Sequence, residues 1–350
     1  MSPLHYKRRK ILRWLGLATG AAILPSACSL GKSSNSQAPV SSPLTANPVS
    51  DQVSQVALLK TDDRASAVPK VLDLLQPEGF TSQTVFIKPN YNTGDAAPAA
   101  TDTDLLASLV TEIEKANAGQ ITIGDRSGMA TTREAMQRKG VFTLAEKRGL
   151  ETVVFDEMAA EQWQYFDKEG THWQQGFAIA RPVLDAGAII NTCCLKTHRF
   201  GGHFTLSLKN TIGMVAKYVP GDNFNYMGDL HSSPHQRKMI AEANAAYQPN
   251  LVLLDGVEAF VNGGPANGKK VAANVMIAGR DRVAVDVVGL AVLRLLGTTN
   301  QVSQGSIWDL EQIQRATELG LGVSNSEEIE ILTADTASQN LADQIRPLIG

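Results

Sequence analysis

Between Asn191 and Gly213 the chain carries Cys193, Cys194, Lys196, His198, Arg199, His203, Lys209 and Asn210, and no carboxylate. Two chemistries compete for this stretch. Adjacent thiols suggest a metal or redox centre, whereas the basic and amide groups suggest a cradle for an anion. Lys196 and His198 lie two residues apart, so an extended backbone turns both to the same side. Gly201 and Gly202 then break the chain, and Lys209-Asn210 arrive just before Gly213. Cations and amides beside a glycine turn bind anions through charge and exposed N–H groups together. A lysine desolvated among other cations can instead serve as nucleophile or base. The plain alternative is that these side chains are solvated surface charge.

The thiols fit the metal reading poorly. Apart from Cys28, Cys193 and Cys194 are the only cysteines. Neighbouring cysteines pair only with strained geometry. No C-x-x-C and no set of four occurs, so neither an iron–sulfur cluster nor a structural zinc is expected. Both read as small buried hydrophobes at the end of a strand.

Other polar groups stand where apolar runs stop. Lys88 and Asn90 close 84-TVFIKPN-90, Asp125 and Ser127 close 120-QITIGDRSG-128, and Asp255 ends 250-NLVLLD-255. Each could be a ligand-facing group or an ordinary turn residue. His231 and His235, with Asp229, offer imidazole and carboxylate to a divalent metal, a candidate cofactor. Equally, Ser232 or Ser233 could cap a helix with Pro234 in its first turn and the histidines incidental. Asp281 suits the N-cap of the apolar helix that follows. Asp286 sits inside that helix, where an unpaired carboxylate is costly, and is expected to answer Lys196 or Lys209. The P-loop, G-x-G-x-x-G, G-x-S-x-G and H-E-x-x-H patterns are absent.

The elements that must position these groups alternate in type. Strands are expected at 53–60, 84–90, 120–125, 151–156, 188–193, 250–257, 273–279 and 328–333. Helices are expected at 66–75, 102–119, 133–140, 143–149, 234–247, 281–297 and 307–322. The aromatic-rich segment 158–180 reads as a hairpin or excursion. This order predicts an α/β fold: a mostly parallel sheet with helices on both faces, in one large domain over 51–335, followed by a tail at 336–350. In such sheets ligands bind beyond the carboxyl ends of the strands, which is where Lys88, Asp125, Lys196, His198 and Asp255 fall.

Composition narrows the partners. The chain has 350 residues with 43% hydrophobic and 19% charged side chains, an ordinary globular balance. Lys7, Arg8, Arg9, Lys10 and Arg13 are five of its 32 basic residues, and no acid accompanies them before Cys28. The remainder holds 27 basic against 35 acidic side chains, which argues against nucleic-acid binding. The basic head, a short apolar run and the small residues Ser26-Ala27 before Cys28 resemble a twin-arginine export signal over 1–28, too short and interrupted to span a membrane. The expected partner there is the twin-arginine machinery and the expected address the periplasm or cell envelope. Cys28 is a candidate lipid-bearing membrane tether. Residues 29–50, rich in Ser, Pro, Asn and Ala, read as a flexible linker.

The ordered set IKPN, TDTD, GDRSG, DAGAIINTCCLKTH, TLSLKNTIGM, LHSSPHQ, NLVLLDGV and AGRDRVAVD is similar to the family named domain of unknown function 362, over roughly residues 53–298. The resemblance implies an α/β fold without an agreed activity. It places the family's recurring polar positions on Lys88, Asn90, Asp125, Lys196, His198, Lys209, Asn210, Asp255, Asp281 and Asp286. Many such relatives carry a ferredoxin-like cysteine segment; this chain does not, so no electron-transfer role carries over.

The expected site has Lys88, Lys196 and Lys209 neutralising a small anionic ligand, Asn90 and Asn210 orienting it, and His198 as general acid or base. Asp125 and Asp255 would hold a metal or position a proton. The expectation is an enzyme acting on a small anionic metabolite or cofactor. Its rival is a non-catalytic anion- or metal-binding protein of the cell envelope. A redox role would require an exposed, reactive Cys193 or Cys194.

Overall fold

The computed structural model describes residues 41–42 and 53–350. The expected export signal, Cys28 and all of the expected linker except Ser41 and Ser42 lie outside them. Twelve strands are present among the described residues: β1 (Ser41–Ser42), β2 (Ser54–Lys60), β3 (Val85–Lys88), β4 (Ile121–Asp125), β5 (Glu151–Val154), β6 (Trp163–Phe166), β7 (Phe177–Ala180), β8 (Ala188–His198), β9 (His203–Thr205), β10 (Leu251–Gly263), β11 (Gly268–Gly279) and β12 (Ile329–Leu332). The helices are α1 (Arg64–Leu75), α2 (Thr103–Lys115), α3 (Thr132–Arg138), α4 (Val141–Arg148), α5 (Arg181–Leu184), α6 (Ser207–Asn210), α7 (Tyr226–Ser232), α8 (Gln236–Ala243), α9 (Arg282–Leu295), α10 (Asn300–Ser303), α11 (Glu311–Glu318) and α12 (Thr336–Ile349).

The main sheet runs β12-β2-β11-β10-β8-β3-β4-β5, with β9 bonded to the end of β8. Pairing from β10 to β5 is parallel, as is β12 with β2, while β11 is antiparallel to both its neighbours. The protein is therefore α/β with a mostly parallel sheet covered on both faces. The pleat of β8 divides the core. Ala188 and Ile190 join the layer under α1 and α2, whereas Ile189, Cys193 and Leu195 join the layer under α9.

Helix ends follow local chemistry. Asp102 caps α2 by accepting from the Asp104 and Leu105 amides, and that helix buries Leu105, Leu106, Leu109, Val110 and Ile113 as one stripe. Asp281 caps α9 through the Val283 and Ala284 amides at 2.7 and 3.0 Å. Its second oxygen accepts from Ser54 Oγ and the Val323 amide, tying the helix start to β2 and to the 321–323 turn.

Four sequence expectations are corrected. Within the expected linker, Ser41 and Ser42 pair in parallel with Tyr165 and Phe166 of the β6–β7 hairpin. Residues 336–350 are not a tail: α12 buries Leu341, Ala342, Ile345 and Ile349. The cap expected at Ser232 or Ser233 is absent; Ser232 ends α7, and α8 starts only at Gln236, after a turn in which Ser233 Oγ accepts from the His235 amide. The central strand continues five residues beyond Cys193 to His198, because β9 and the curled arm of β10 give its outer half partners.

Candidate functional site

Two neighbouring parallel strands end at one rim and a third overshoots them. Lys88 closes β3 and Asp125 closes β4, while β8 passes them, since Lys88 pairs with Asn191. The overhanging half of β8 brings Lys196 and His198 above the rim. Gly201 and Gly202 turn the chain back through β9 into the short helix α6, which delivers Lys209 and Asn210. These groups wall a cavity of about 480 Å³, closed on its other sides by 212–218, 225–231, Gly128-Met129 and Pro265 from the β10–β11 tip.

The three lysines singled out in sequence have different surroundings. Lys88 Nζ meets Asp125 Oδ1 at 2.7 Å and donates to Pro89 O at 2.6 Å and Asn210 Oδ1 at 3.3 Å, which uses its three donors. Asp125 also accepts from the Tyr91 and Arg126 amides. Burial pushes the Lys88 ammonium down and the Asp125 carboxyl up; their mutual charge opposes both displacements. Lys196 is wholly buried and donates to Asn90 Oδ1 at 2.9 Å and Ala99 O at 2.6 Å, both neutral acceptors. Burial lowers its pKa as well. Asn90 and Asn210 are bonded to each other at 2.8 Å, and Asn210 Nδ2 donates to Asn191 Oδ1 and Thr192 O. Lys88, Asp125, Asn90, Asn210 and Lys196 are thus one linked framework with few free valences.

Lys209 is different. It is buried at the cavity wall, and among the described residues its ammonium has no hydrogen-bond or ion-pair partner. Burial first, then the charges of Arg126 and Lys196, lower its pKa to about 8. His198 stands beside it, for a Cβ on Gly202 would come within 2.8 Å of Lys209 Cε and 3.0 Å of His198 Nδ1. A side chain at Gly202 would have to displace one of them. That Nδ1 is buried without a partner, as are Asn92 Nδ2 and Thr205 Oγ1 in the same lining. Burial, then Lys209 and Lys196, hold the His198 imidazole far below its usual range, so it is neutral. A buried polar group left unpaired is costly, and here several such groups adjoin one cavity.

Charge completes the picture. Among the described residues Asp125 is the only acid in the lining, already opposed by Lys88, against Lys88, Arg126, Lys196, Lys209 and Lys217, the last of which faces Asp156 at 3.9 Å. Arg126 is buried with its guanidinium on the carbonyls of Ser127, Ile212 and Val215, so it braces the 211–215 turn. A Cβ on Gly213 of that turn would strike Asp125 Oδ1 and Lys88 Nζ at 2.5 and 2.7 Å. The cavity carries surplus positive charge.

Several expected site residues lie elsewhere. Asp255 is outside the lining, bonded to Arg64 Nε at 2.7 Å, and so shares no metal with Asp125. Asp286 answers no lysine: it accepts from the Ser207 and Leu208 amides and Ser207 Oγ, capping α6 from below. His231 lines the cavity with Nδ1 against Met227 O at 2.7 Å, whereas the His235 ring rests 4.4 Å from that of His172. Asp229 accepts from the Gln174 amide. Among the described residues no three His, Cys, Asp or Glu side chains stand together as metal ligands, so the structure brings no such set to His231 and His235. Cys193 and Cys194 are buried free thiols; burial raises Cys194 to about 11 and also pushes Cys193 well above its ordinary value. Neither is the exposed, low-pKa thiol that a redox role requires. Sequence reasoning missed Asn92, Arg126, Thr205, Lys217 and Tyr218. Arg126 lay inside the quoted GDRSG; the others sit in irregular or short segments with no periodic signal.

The family model described as domain of unknown function (DUF362) matches residues 85–291, which hold every strand and turn of this site. A thylakoid-associated protein of Synechocystis sp. is 24% identical over 260 residues, covering 69% of this chain and 75% of that protein. Among solved structures, the lactate racemase apoprotein from Thermoanaerobacterium thermosaccharolyticum aligns over 83% of this chain and 85% of its own, at 14% identity and a TM-score of 0.38. No helix among the described residues is long and apolar enough to cross a membrane.

Proposed function

We propose that this chain, which belongs to the domain of unknown function 362 family, binds a small anionic ligand at the rim of its sheet and carries out proton transfer on it. The observation that supports this most directly is Lys209: among the described residues its ammonium has no counter-charge, on a cavity whose one described carboxylate is already paired. An anion supplies the missing partner. Lys196, whose two bonds leave one donor unused, and Asn92 Nδ2 add donors for it. Lys88, Asp125, Asn90 and Asn210 hold these groups in place.

The chemistry follows from two proton-carrying groups side by side. A lysine with a pKa of about 8 exchanges between charged and neutral forms near neutral pH, the condition for general acid–base work. Burial first, then the charges of Lys209 and Lys196, keep His198 neutral. A bound anion offsets those cations and raises its basicity. His198 and Lys209 are then the acid–base pair. Capture without turnover is the rival reading.

Native mass spectrometry of the full chain from its own host separates these readings. The wild-type chain is expected to carry an anion that Lys209→Met loses. His198→Ala is expected to keep the anion and to stop its conversion in a turnover assay. A wild-type chain that carries no anion, and whose melting temperature does not respond to phosphate, sulfate or carboxylates, sinks the anion-site reading. Conversion by His198→Ala at the wild-type rate removes the acid–base role.

We also propose that the chain is exported through the twin-arginine route, from the paired Arg8-Arg9 ahead of the apolar run. Changing both to Lys is expected to retain the protein in the cytoplasm on cell fractionation. An unchanged distribution refutes the route.

A further inference from the structure

Among the described residues, five large apolar side chains are exposed: Val53, Met129, Phe200, Tyr218 and Leu295. Three of the five, Met129 at 50%, Phe200 at 45% and Tyr218 at 54% exposure, line the same cavity, the one whose floor holds Lys209. They come from three separate segments: the turn after β4, the turn after β8 and the loop after Val215. Scattered exposed hydrophobics need no explanation, but a cluster around a concave site marks a binding surface. The Phe200 ring packs edge-on against His198 at 5.8 Å, which joins the apolar mouth to the polar floor. Tyr218 also lines a second cavity of about 410 Å³, a mixed one walled by Phe155, Met158 and Trp163 together with Asp156, Asp222 and Asn223.

Size points the same way. Water occupies about 30 Å³ per molecule in the liquid, so a bare four-oxygen anion would leave most of the 480 Å³ empty. We infer that the ligand is amphiphilic: a compact oxyanion head on Lys209 and His198, carrying an alkyl, prenyl or aromatic body that covers Met129, Phe200 and Tyr218. This rests on the anion-site reading above and adds the class of molecule. The rim then contributes affinity by removing apolar area from water, while the floor selects the charge.

Titration calorimetry of the full chain with matched probes tests it. Inorganic phosphate and hexyl phosphate form one pair, acetate and octanoate the other, all below their micellar concentrations. In at least one pair the tailed anion is expected to bind at least about ten-fold tighter, the scale of burying a few methylenes. The triple variant Met129→Ser, Phe200→Ser, Tyr218→Ser changes only exposed side chains and is expected to fold. It should bring each tailed anion down to the affinity of its bare partner, both measured in the same variant. Lys209→Met should lose both members of a pair. If bare anions bind through Lys209 and tails add nothing in either pair, the amphiphile is refuted while the anion site stands. If no probe binds, both fall. If tails add nothing and the triple variant instead loses binding to phosphatidylcholine vesicles, the rim meets a membrane surface and this inference is wrong.

Discussion

At the scale of single residues, Lys88, Lys196 and Lys209 looked interchangeable in sequence, each a lysine after an apolar run. Their partners separate them. Lys88 faces Asp125 at 2.7 Å, so Lys88→Met strands a buried carboxylate and should cost about 3–5 kcal/mol of stability. Lys209 faces no carboxylate, and its pKa falls from 10.5 to about 8. Between those values the unfolded chain binds more protons than the folded one, so its contribution to stability rises with pH across that window and is absent below about 8. Lys209→Met should therefore stabilise the protein at pH 7, by at most about 3 kcal/mol at about 1.4 kcal/mol per pKa unit. The difference should shrink as pH rises from 8 to 10.5, while anion binding is lost throughout. In the wild type, affinity should weaken above about pH 8 as the free ammonium deprotonates. Urea unfolding of both variants across pH, with calorimetry at the same points, checks this. A Lys209→Met chain less stable than wild type at pH 7 contradicts it.

At the scale of elements, the site depends on α6, a four-residue helix placed by a carboxylate from another helix. Asp286 of α9 binds the Ser207 and Leu208 amides and Ser207 Oγ at 2.6–3.0 Å, and α6 presents Lys209 and Asn210. Burial raises the Asp286 pKa from 3.8 to about 7, against the pull of those donors. Its contribution to stability is fully present below about 3.8 and is lost as pH rises through about 7, the reverse sign and a lower window than Lys209. Asp286→Asn should flatten the loss of stability between pH 4 and 7. It should also weaken anion binding by several-fold, because one amide oxygen cannot replace two carboxylate acceptors. A variant with unchanged pH dependence and unchanged affinity would show that Asp286 neither titrates nor positions α6. This element also marks where sequence stopped being informative. The runs 85–88 and 121–125 announce themselves by β-branched residues ending in a turn, and α2 and α9 by apolar stripe and aspartate cap. A helix of one turn has no period to detect, so Asp286 seemed to await a lysine. Likewise nothing local shows that β8 runs on to His198, since its outer partners come from Phe260 and from His203–Thr205.

At the scale of the molecule, the unpaired Lys209 opposes stability, and the fold must supply the excess elsewhere. Part of it comes from α12, which lies against α9 and β2 and lines none of the cavity. Asp335 caps it through the Ser338 amide at 2.7 Å, Ser338 Oγ accepts from the Lys60 amide at 2.9 Å, and Ile349 O accepts from Trp308 Nε1 at 2.8 Å. Leu341, Ile345 and Ile349 are buried; at about 1.5–3 kcal/mol for each such side chain they contribute about 5–9 kcal/mol. That is comparable to the whole stability of a typical domain, about 5–15 kcal/mol. Ending the chain after Asp335 should therefore abolish cooperative unfolding near room temperature and remove anion binding, although every lining residue remains. Were 336–350 an appendage, the shortened chain would melt within a few degrees of the full one and bind equally well. Differential scanning calorimetry of both chains, with and without phosphate, decides between them. A shortened chain that still melts cooperatively and is still shifted by phosphate would show that the rim and its lysines are held without α12.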